Sequence, residues 1–179
     1  NKEWERGYKE TDRLGGFDPY SSSKACAELL IKSFQNSYES ESLAISSVRA
    51  GNVIGGGDLS SDRLLPDIYR AIVSKQKIKL RNPMATRPWQ HVLEPLIGYL
   101  MVAEDLFESG HQKNDAWNFG PRASDIRTVA EISRLFADEW GVDNIIVEKS
   151  SKNYHEANLL SLDSTKANSE LNWQPVWNV

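Results

Sequence analysis

Leu43-Ala44-Ile45-Ser46-Ser47-Val48 runs directly into Arg49-Ala50-Gly51-Asn52-Val53-Ile54-Gly55-Gly56-Gly57-Asp58. The first six residues are short and largely apolar, the pattern of a buried strand. The next ten read as a loop leaving that strand's carboxyl end, where ligands bind in open α/β sheets. Upstream, Asp18-Pro19-Tyr20-Ser21-Ser22-Ser23-Lys24 opens a helix expected over residues 19–38. Pro19 sits early in it, where a missing N–H costs nothing. Ala27, Leu30, Ile31 and Phe34 follow at helical spacing. A helix feeding a buried strand that ends in a glycine-rich turn belongs to an α/β fold.

The same alternation continues downstream. Helices are expected over residues 64–75, 94–107, 128–140 and 163–171, with short strands at 77–80, 117–119 and 144–147. Thr128 with Glu131 three residues later forms a capping box, and Asp163 is the expected cap of the last helix. Leu96, Ile97, Leu100, Val102 and Ala103 cover much of the 94–107 helix, so its exterior is expected to be mostly buried. Residues 81–90 contain two prolines and no periodicity and read as a loop. No internal repeat is present.

At 179 residues, 40% hydrophobic and 26% charged, the chain has the composition of a soluble globular protein. A net charge of −4 argues against a general nucleic-acid or membrane-surface binder. No apolar run reaches the length of a bilayer span, and the opening residues resemble no signal peptide. The default expectation is a cytoplasmic protein. Its single cysteine, Cys26, is expected to be a small buried residue. His91, His111 and His155 are too far apart for a usual zinc motif, and no metal is expected. The charged, irregular start and the end at Trp173-Gln174-Pro175-Val176-Trp177-Asn178-Val179 read as the limits of a piece of something longer.

Tyr20 and Lys24 lie four residues apart, hence on one helical face. A phenol titrates near ~10 in water, and a neighbouring cation favours its ionised form, which makes the pair a candidate acid/base. Chance supplies such a spacing in roughly a third of chains of this composition. The triple glycine 55–57 is neither Gly-x-Gly-x-x-Gly nor a Gly-Lys-Ser/Thr loop and reads alone as a flexible turn. Arg63, Arg81 and Arg87 can each hold a phosphate by paired hydrogen bonds; the ordinary alternative is a solvated surface arginine. The Asn52 amide can reach a ligand or simply form a turn. His91, expected on a short strand, reads as structural, and Trp89 and Trp117 read as core.

Tyr20/Lys24, Arg49-Ala50-Gly51-Asn52-Val53-Ile54-Gly55 and Arg87-Pro88-Trp89-Gln90-His91-Val92-Leu93-Glu94-Pro95, in that order, resemble the extended short-chain dehydrogenase/reductases that modify nucleotide sugars, the NAD-dependent epimerase/dehydratase family. The likeness extends to Leu171-Asn172-Trp173-Gln174-Pro175, which is similar to a Leu-Gly-Trp-x-Pro ending. Gly55-Gly56-Gly57-Asp58 and Arg81-Asn82-Pro83 favour the CDP-sugar branch over the dTDP and GDP branches. The resemblance implies the C-terminal part of a Rossmann-type doubly wound sheet plus a smaller α/β substrate-binding lobe. Residues 1–54 would end the NAD-binding domain and 55–115 would be mainly nucleotide-sugar lobe. Residues 116–127 would form a return strand and turn, and 128–179 the rest of the lobe.

The implied reaction is an NAD-dependent internal redox dehydration, CDP-D-glucose to CDP-4-keto-6-deoxy-D-glucose. Tyr20 would take the 4-hydroxyl proton as hydride passes to NAD, water would leave across C5 and C6, and the hydride would return to C6. Lys24 would hold the nicotinamide ribose, and Val53 would lie beside the nicotinamide. Asn52, Arg63, Leu64, Arg81, Arg87, Asn118 and His155 would bind the substrate, with Arg87 on the diphosphate. The implied partners are the nucleotide sugar and a second copy, as homodimer or homotetramer, with Leu29, Ile31, Phe34 and Tyr38 as candidate contact surface. The glycine-rich fingerprint and the remaining acid/base groups would lie before Asn1, so the 179-residue chain alone is expected to be inactive. A 4,6-dehydratase or 4-epimerase for a dTDP-, GDP- or UDP-sugar, and a non-catalytic nucleotide-sugar-binding module of the same fold, remain open readings.

Overall fold

A computed structural model describes residues 4–38, 43–142, 145–146 and 158–179. Helix α1 (Pro19–Ser37) starts where the sequence places it. The Asp18 carboxylate accepts from the Tyr20 and Ser21 amides at 2.9 and 3.0 Å, and Pro19 fills the first turn. These bonds satisfy donors that the first turn leaves without intrahelical partners.

Strand β1 (Ser47–Ala50) begins later than the apolar run, and Leu43 is exposed. It pairs in parallel with β6 (Ala116–Phe119), Ser47 opposite Ala116 and Ala50 opposite Phe119. The stretch from Arg49 is not the expected loop, since Arg49 and Ala50 finish β1. Asn52–Ile54 form β2, parallel to β5 (Trp89–His91). The chain changes partner at Gly51, where an added Cβ would lie 2.5 Å from the Pro88 carbonyl oxygen. A glycine there lets the two backbones close up, and the Asn52 amide donates to that carbonyl at 2.9 Å. Residues 81–90 likewise hold β4 (Thr86–Arg87) and the start of β5, with Pro88 between them. Pro88 has no N–H for a ladder, which breaks the run into two short pieces. Strand β4 is antiparallel to β7 (Arg127–Thr128).

Helix α2 (Leu64–Val73), β3 (Ile78–Lys79), α4 (Val129–Glu139) and β8 (Ile145–Ile146) make the second layer, with β3 parallel to β8. The Thr128 capping box forms as expected, Oγ1 accepting from the Glu131 amide at 3.1 Å. Ile68, Ile78, Leu80 and Ala137 form the core of this layer. Helix α5 (Thr165–Glu170) is shorter than expected; Asp163 still accepts from the Thr165 amide at 2.9 Å.

Helix α3 (Leu93–Ser109) contradicts the expected burial. Its buried residues are Glu94, Pro95, Gly98 and Val102, whereas Leu96, Ile97, Leu100 and Ala103 face outward, Leu100 at 71% exposure. Spacing at i, i+4 and i+8 aims a narrow seam at the sheet, where Val102 joins Trp117, Phe119, Ala167 and Trp173 in the first core. The apolar positions of α1 turn out similarly. Gln35 is its one buried residue, while Ala27, Leu30 and Phe34 are exposed. Cys26, expected to be buried, is exposed too, because the described residues place no layer over that side of α1.

Candidate functional site

The first two turns of α1 present Tyr20 and Lys24 together, the Lys24 ammonium 5.6 Å from the centre of the Tyr20 ring. Tyr20 is 68% exposed. Both border a cleft of about 900 Å³ whose walls include Glu28, Arg49, Ala50 and Asn118. The helical spacing thus brings the candidate acid/base pair to one cleft with Val48, Arg49 and Ala50 of β1.

An ion pair between α1 and β1 lines this cleft. Arg49 on β1 grips Glu28 on α1 with two bonds, Nε to Oε1 at 2.8 Å and Nη2 to Oε2 at 2.7 Å. The Ser47 hydroxyl adds a third at 2.7 Å. The hydrogen bonds from Arg49 hold the Glu28 carboxyl below the usual carboxylate range; burial opposes this and the Ser47 bond assists it. The same bonds raise the Arg49 guanidinium further. Neither residue stood among the sequence candidates. Glu28 could have been found, since it is one turn past Lys24 on the same face; nothing local to Arg49 marks it.

Asn118 reaches the cleft wall but is largely committed. It is 1% exposed, its amide N–H donates to Glu10 Oε1 at 2.8 Å, and its Nδ2 donates to the Tyr8 carbonyl at 2.9 Å. Its Oδ1 has no partner among the described residues. Asn52 and Val53 lie two and three residues beyond Ala50, on β2, with Val53 exposed. His91, on β5, packs edge-on against Trp177 at 4.8 Å.

The remaining candidates gather elsewhere. Arg63 is the exposed N-cap residue of α2, and Leu64 packs on the second core. Arg81 pairs with Asp62 at 2.9 Å, which brings it beside the segment carrying Arg63. Arg87 lies on β4, half-buried, its Nη1 donating to the Thr86 carbonyl at 2.9 Å. None of these four borders the Tyr20 cleft, nor do Asn52 and Val53. His155 lies outside the described residues. Among the described residues no group of three or more His, Cys, Asp and Glu gathers as a metal site.

The chain is 48% identical over 183 residues to the CDP-glucose 4,6-dehydratase of Salmonella typhimurium (strain LT2), covering 99% of this chain and 51% of that protein. Among solved structures, it superposes on the dTDP-glucose 4,6-dehydratase of Streptomyces venezuelae with NAD and TYD bound, with a TM-score of 0.81. That match has 20% identity and covers 97% of this chain and 51% of the other. It also superposes on the UDP-glucuronic acid 4-epimerase of Bacillus cereus in complex with UDP-glucuronic acid and NAD, TM-score 0.83, at 16% identity over 98% and 53% of the two chains. The chain therefore spans about half the length of the proteins it matches. The structural likenesses establish the fold as Rossmann-type α/β. The GDP-mannose 4,6 dehydratase family matches residues 2–179, and the chain belongs to that family.

Proposed function

We propose that the whole protein is an NAD-dependent nucleotide-sugar 4,6-dehydratase, a hydro-lyase, acting on CDP-D-glucose, and that this chain carries its proton-transfer pair and most of its substrate lobe. The observation that carries the proposal is the Tyr20/Lys24 pair, exposed together on one cleft with residues of β1. The 48% identity to a CDP-glucose 4,6-dehydratase supports the choice of substrate.

The residues present fit the nicotinamide-ribose end of NAD: an exposed phenol and ammonium one helical turn apart can both meet ribose and sugar hydroxyls, and Val53 offers an apolar surface. When bound, NAD supplies the acceptor and donor of hydride. Tyr20 takes the proton of the sugar 4-hydroxyl as C4 is oxidised, and Lys24 orients the reacting hydroxyls and balances the charge on the phenolate. Asn52 contacts the sugar nucleotide. Arg63, Leu64, Arg81 and Arg87 bind its nucleotide and diphosphate, with Arg87 on the diphosphate. Asn118 and His155 complete the substrate set. Residues 1–54 thus end the cofactor domain, and 55–115 with 128–179 supply most of the substrate lobe around the second core.

The exposed apolar faces of α1 (Leu29, Phe34, Tyr38) and α3 (Leu96, Ile97, Leu100) support self-association as a homodimer or homotetramer. Among the described residues no helix is long and apolar enough to cross a membrane.

The test uses the full-length protein with NAD and CDP-, dTDP-, GDP- and UDP-glucose. We expect the 4-keto-6-deoxy product, read by its absorbance in alkali and by NMR, with CDP-glucose preferred. Tyr20→Phe should lower turnover by about 10²–10⁴-fold, the range of a lost general acid/base, and leave nucleotide-sugar binding in place. A C4 epimer retaining its 6-hydroxyl, or wild-type turnover by Tyr20→Phe, overturns the proposal.

A further inference from the structure

Helix α1 carries the candidate acid/base pair, yet none of its apolar side chains is fully buried against the strands: Ala27, Leu30 and Phe34 are exposed and Ile31 is half-buried. Two polar side chains tie it there. Gln35 Nε2 donates to the Ile45 carbonyl at 2.8 Å near the helix end. Nearer the site, the Glu28 carboxylate accepts the Arg49 fork and the Ser47 hydroxyl, with only 17% and 22% of the Glu28 and Arg49 side chains exposed. Arg49 is held from behind as well, its Nη1 donating to the Glu10 carbonyl at 3.4 Å. The carboxylate of Glu10 in turn accepts from the Asn118 amide on β6. The strands and the segment before α1 are thus joined through one guanidinium to one carboxylate on the helix.

Glu28 follows Lys24 by one turn and Tyr20 by two, about 12 Å along the axis and within roughly 80° of circumference. We infer that the Glu28–Arg49 pair is a positioning device that sets the roll of α1, and through it the aim of Tyr20 and Lys24 at the substrate. A roll of roughly 10° displaces a group about 6 Å from the axis by about 1 Å. A misplacement of that size can slow a reaction by about 100-fold. A lysine at position 49 keeps the charge and loses the planar fork. An aspartate at position 28 keeps the charge and loses the reach. The inference rests on the dehydratase reading for its kinetic consequence, while the mechanical claim about α1 stands apart from it.

The test compares wild-type, Glu28→Asp, Arg49→Lys and Tyr20→Phe full-length proteins, each first checked for a cooperative melt. Turnover and KM for CDP-glucose are measured, with hydrogen exchange across residues 19–28 and, as an internal reference, across α4. The expected result is a 10- to 100-fold loss of kcat in both pair variants with KM changed less than about threefold, because the arginines assigned to the nucleotide lie away from this cleft. Exchange should rise in residues 19–28 and stay unchanged in α4. Wild-type kcat in either folded variant overturns the inference, as does exchange that rises equally everywhere. Failure of the wild type to dehydrate any of the four sugars defeats the functional reading instead, and the exchange comparison then still decides whether the pair fixes α1.

Discussion

Gly98 makes the sharpest test of how the first core is built. It lies on the buried seam of α3, against the ring of Phe119 on β6. A Cβ at position 98 would stand 2.3 Å from Phe119 Cε1, 2.4 Å from Cδ1 and 2.9 Å from Cζ. Carbon atoms in contact prefer about 3.5–4.0 Å, so ring or helix must retreat by about 1 Å. The ring has little freedom, being 0% exposed and packed edge-on against Trp173 at 5.0 Å and Tyr99 at 5.7 Å. Overpacking of this kind costs about 1–3 kcal/mol. Alanine regains up to about 1 kcal/mol of helix propensity over glycine. With three ring atoms inside the limit, the clash term wins, and Gly98→Ala should lower stability by about 1–2 kcal/mol, with a lower Tm and urea midpoint. Thermal and urea melts of the full-length protein measure this, with Gly56→Ala as control, since nothing lies within 4 Å of a Cβ there. An unchanged or raised midpoint for Gly98→Ala, with the control also unchanged, would show that α3 does not seat on Phe119 in this way.

Thr128→Ala removes the hydroxyl that caps α4 and should cost about 1 kcal/mol in urea melts; a loss below a few tenths would mean the cap is dispensable. Glu94, 4% exposed, accepts the Val176 amide at 3.0 Å and the Trp177 amide at 2.7 Å. Glu94→Ala strands those donors and should destabilise by about 1–3 kcal/mol, with Glu94→Gln losing less; equal losses would argue against the amide contacts. The lowered Glu28 pKa stabilises the fold above the ordinary glutamate range, and this part is lost as the pH falls through the folded value. Glu28→Gln should therefore lie furthest below wild type near neutrality and approach it in acid melts; a constant gap would contradict the linkage.

Features built from near neighbours were legible in the sequence. Asp18 with Pro19 announces the start of α1, and Thr128 with Glu131 announces α4, because each cap is completed within three residues. Tyr20 and Lys24 share a face for the same reason. The strand at Asn52–Ile54 was not legible: it is a strand because Trp89–His91, more than thirty residues later, lies beside it. Composition also misplaced the faces of α1 and α3. Counting apolar residues on a helix does not say which side meets the sheet, and on α3 the smallest residue, Gly98, marks that side. The Glu28–Arg49 pair spans 21 residues and joins two elements, so no local pattern holds it.

Leu43 to Asp58, taken by itself, determined that a strand of an α/β fold lies here, because apolar and β-branched composition acts within a few residues. The loop expected from Arg49 onward did not hold, since residues 49–50 and 52–54 are strand. Where the strand begins, that Gly51 passes the chain from β6 to β5, and that Arg49 reaches back to hold the helix bearing Tyr20 were decided only in the tertiary structure. Those outcomes depend on atoms brought together from distant parts of the chain. Hydrogen-bond geometry and close packing select them only once the elements have met.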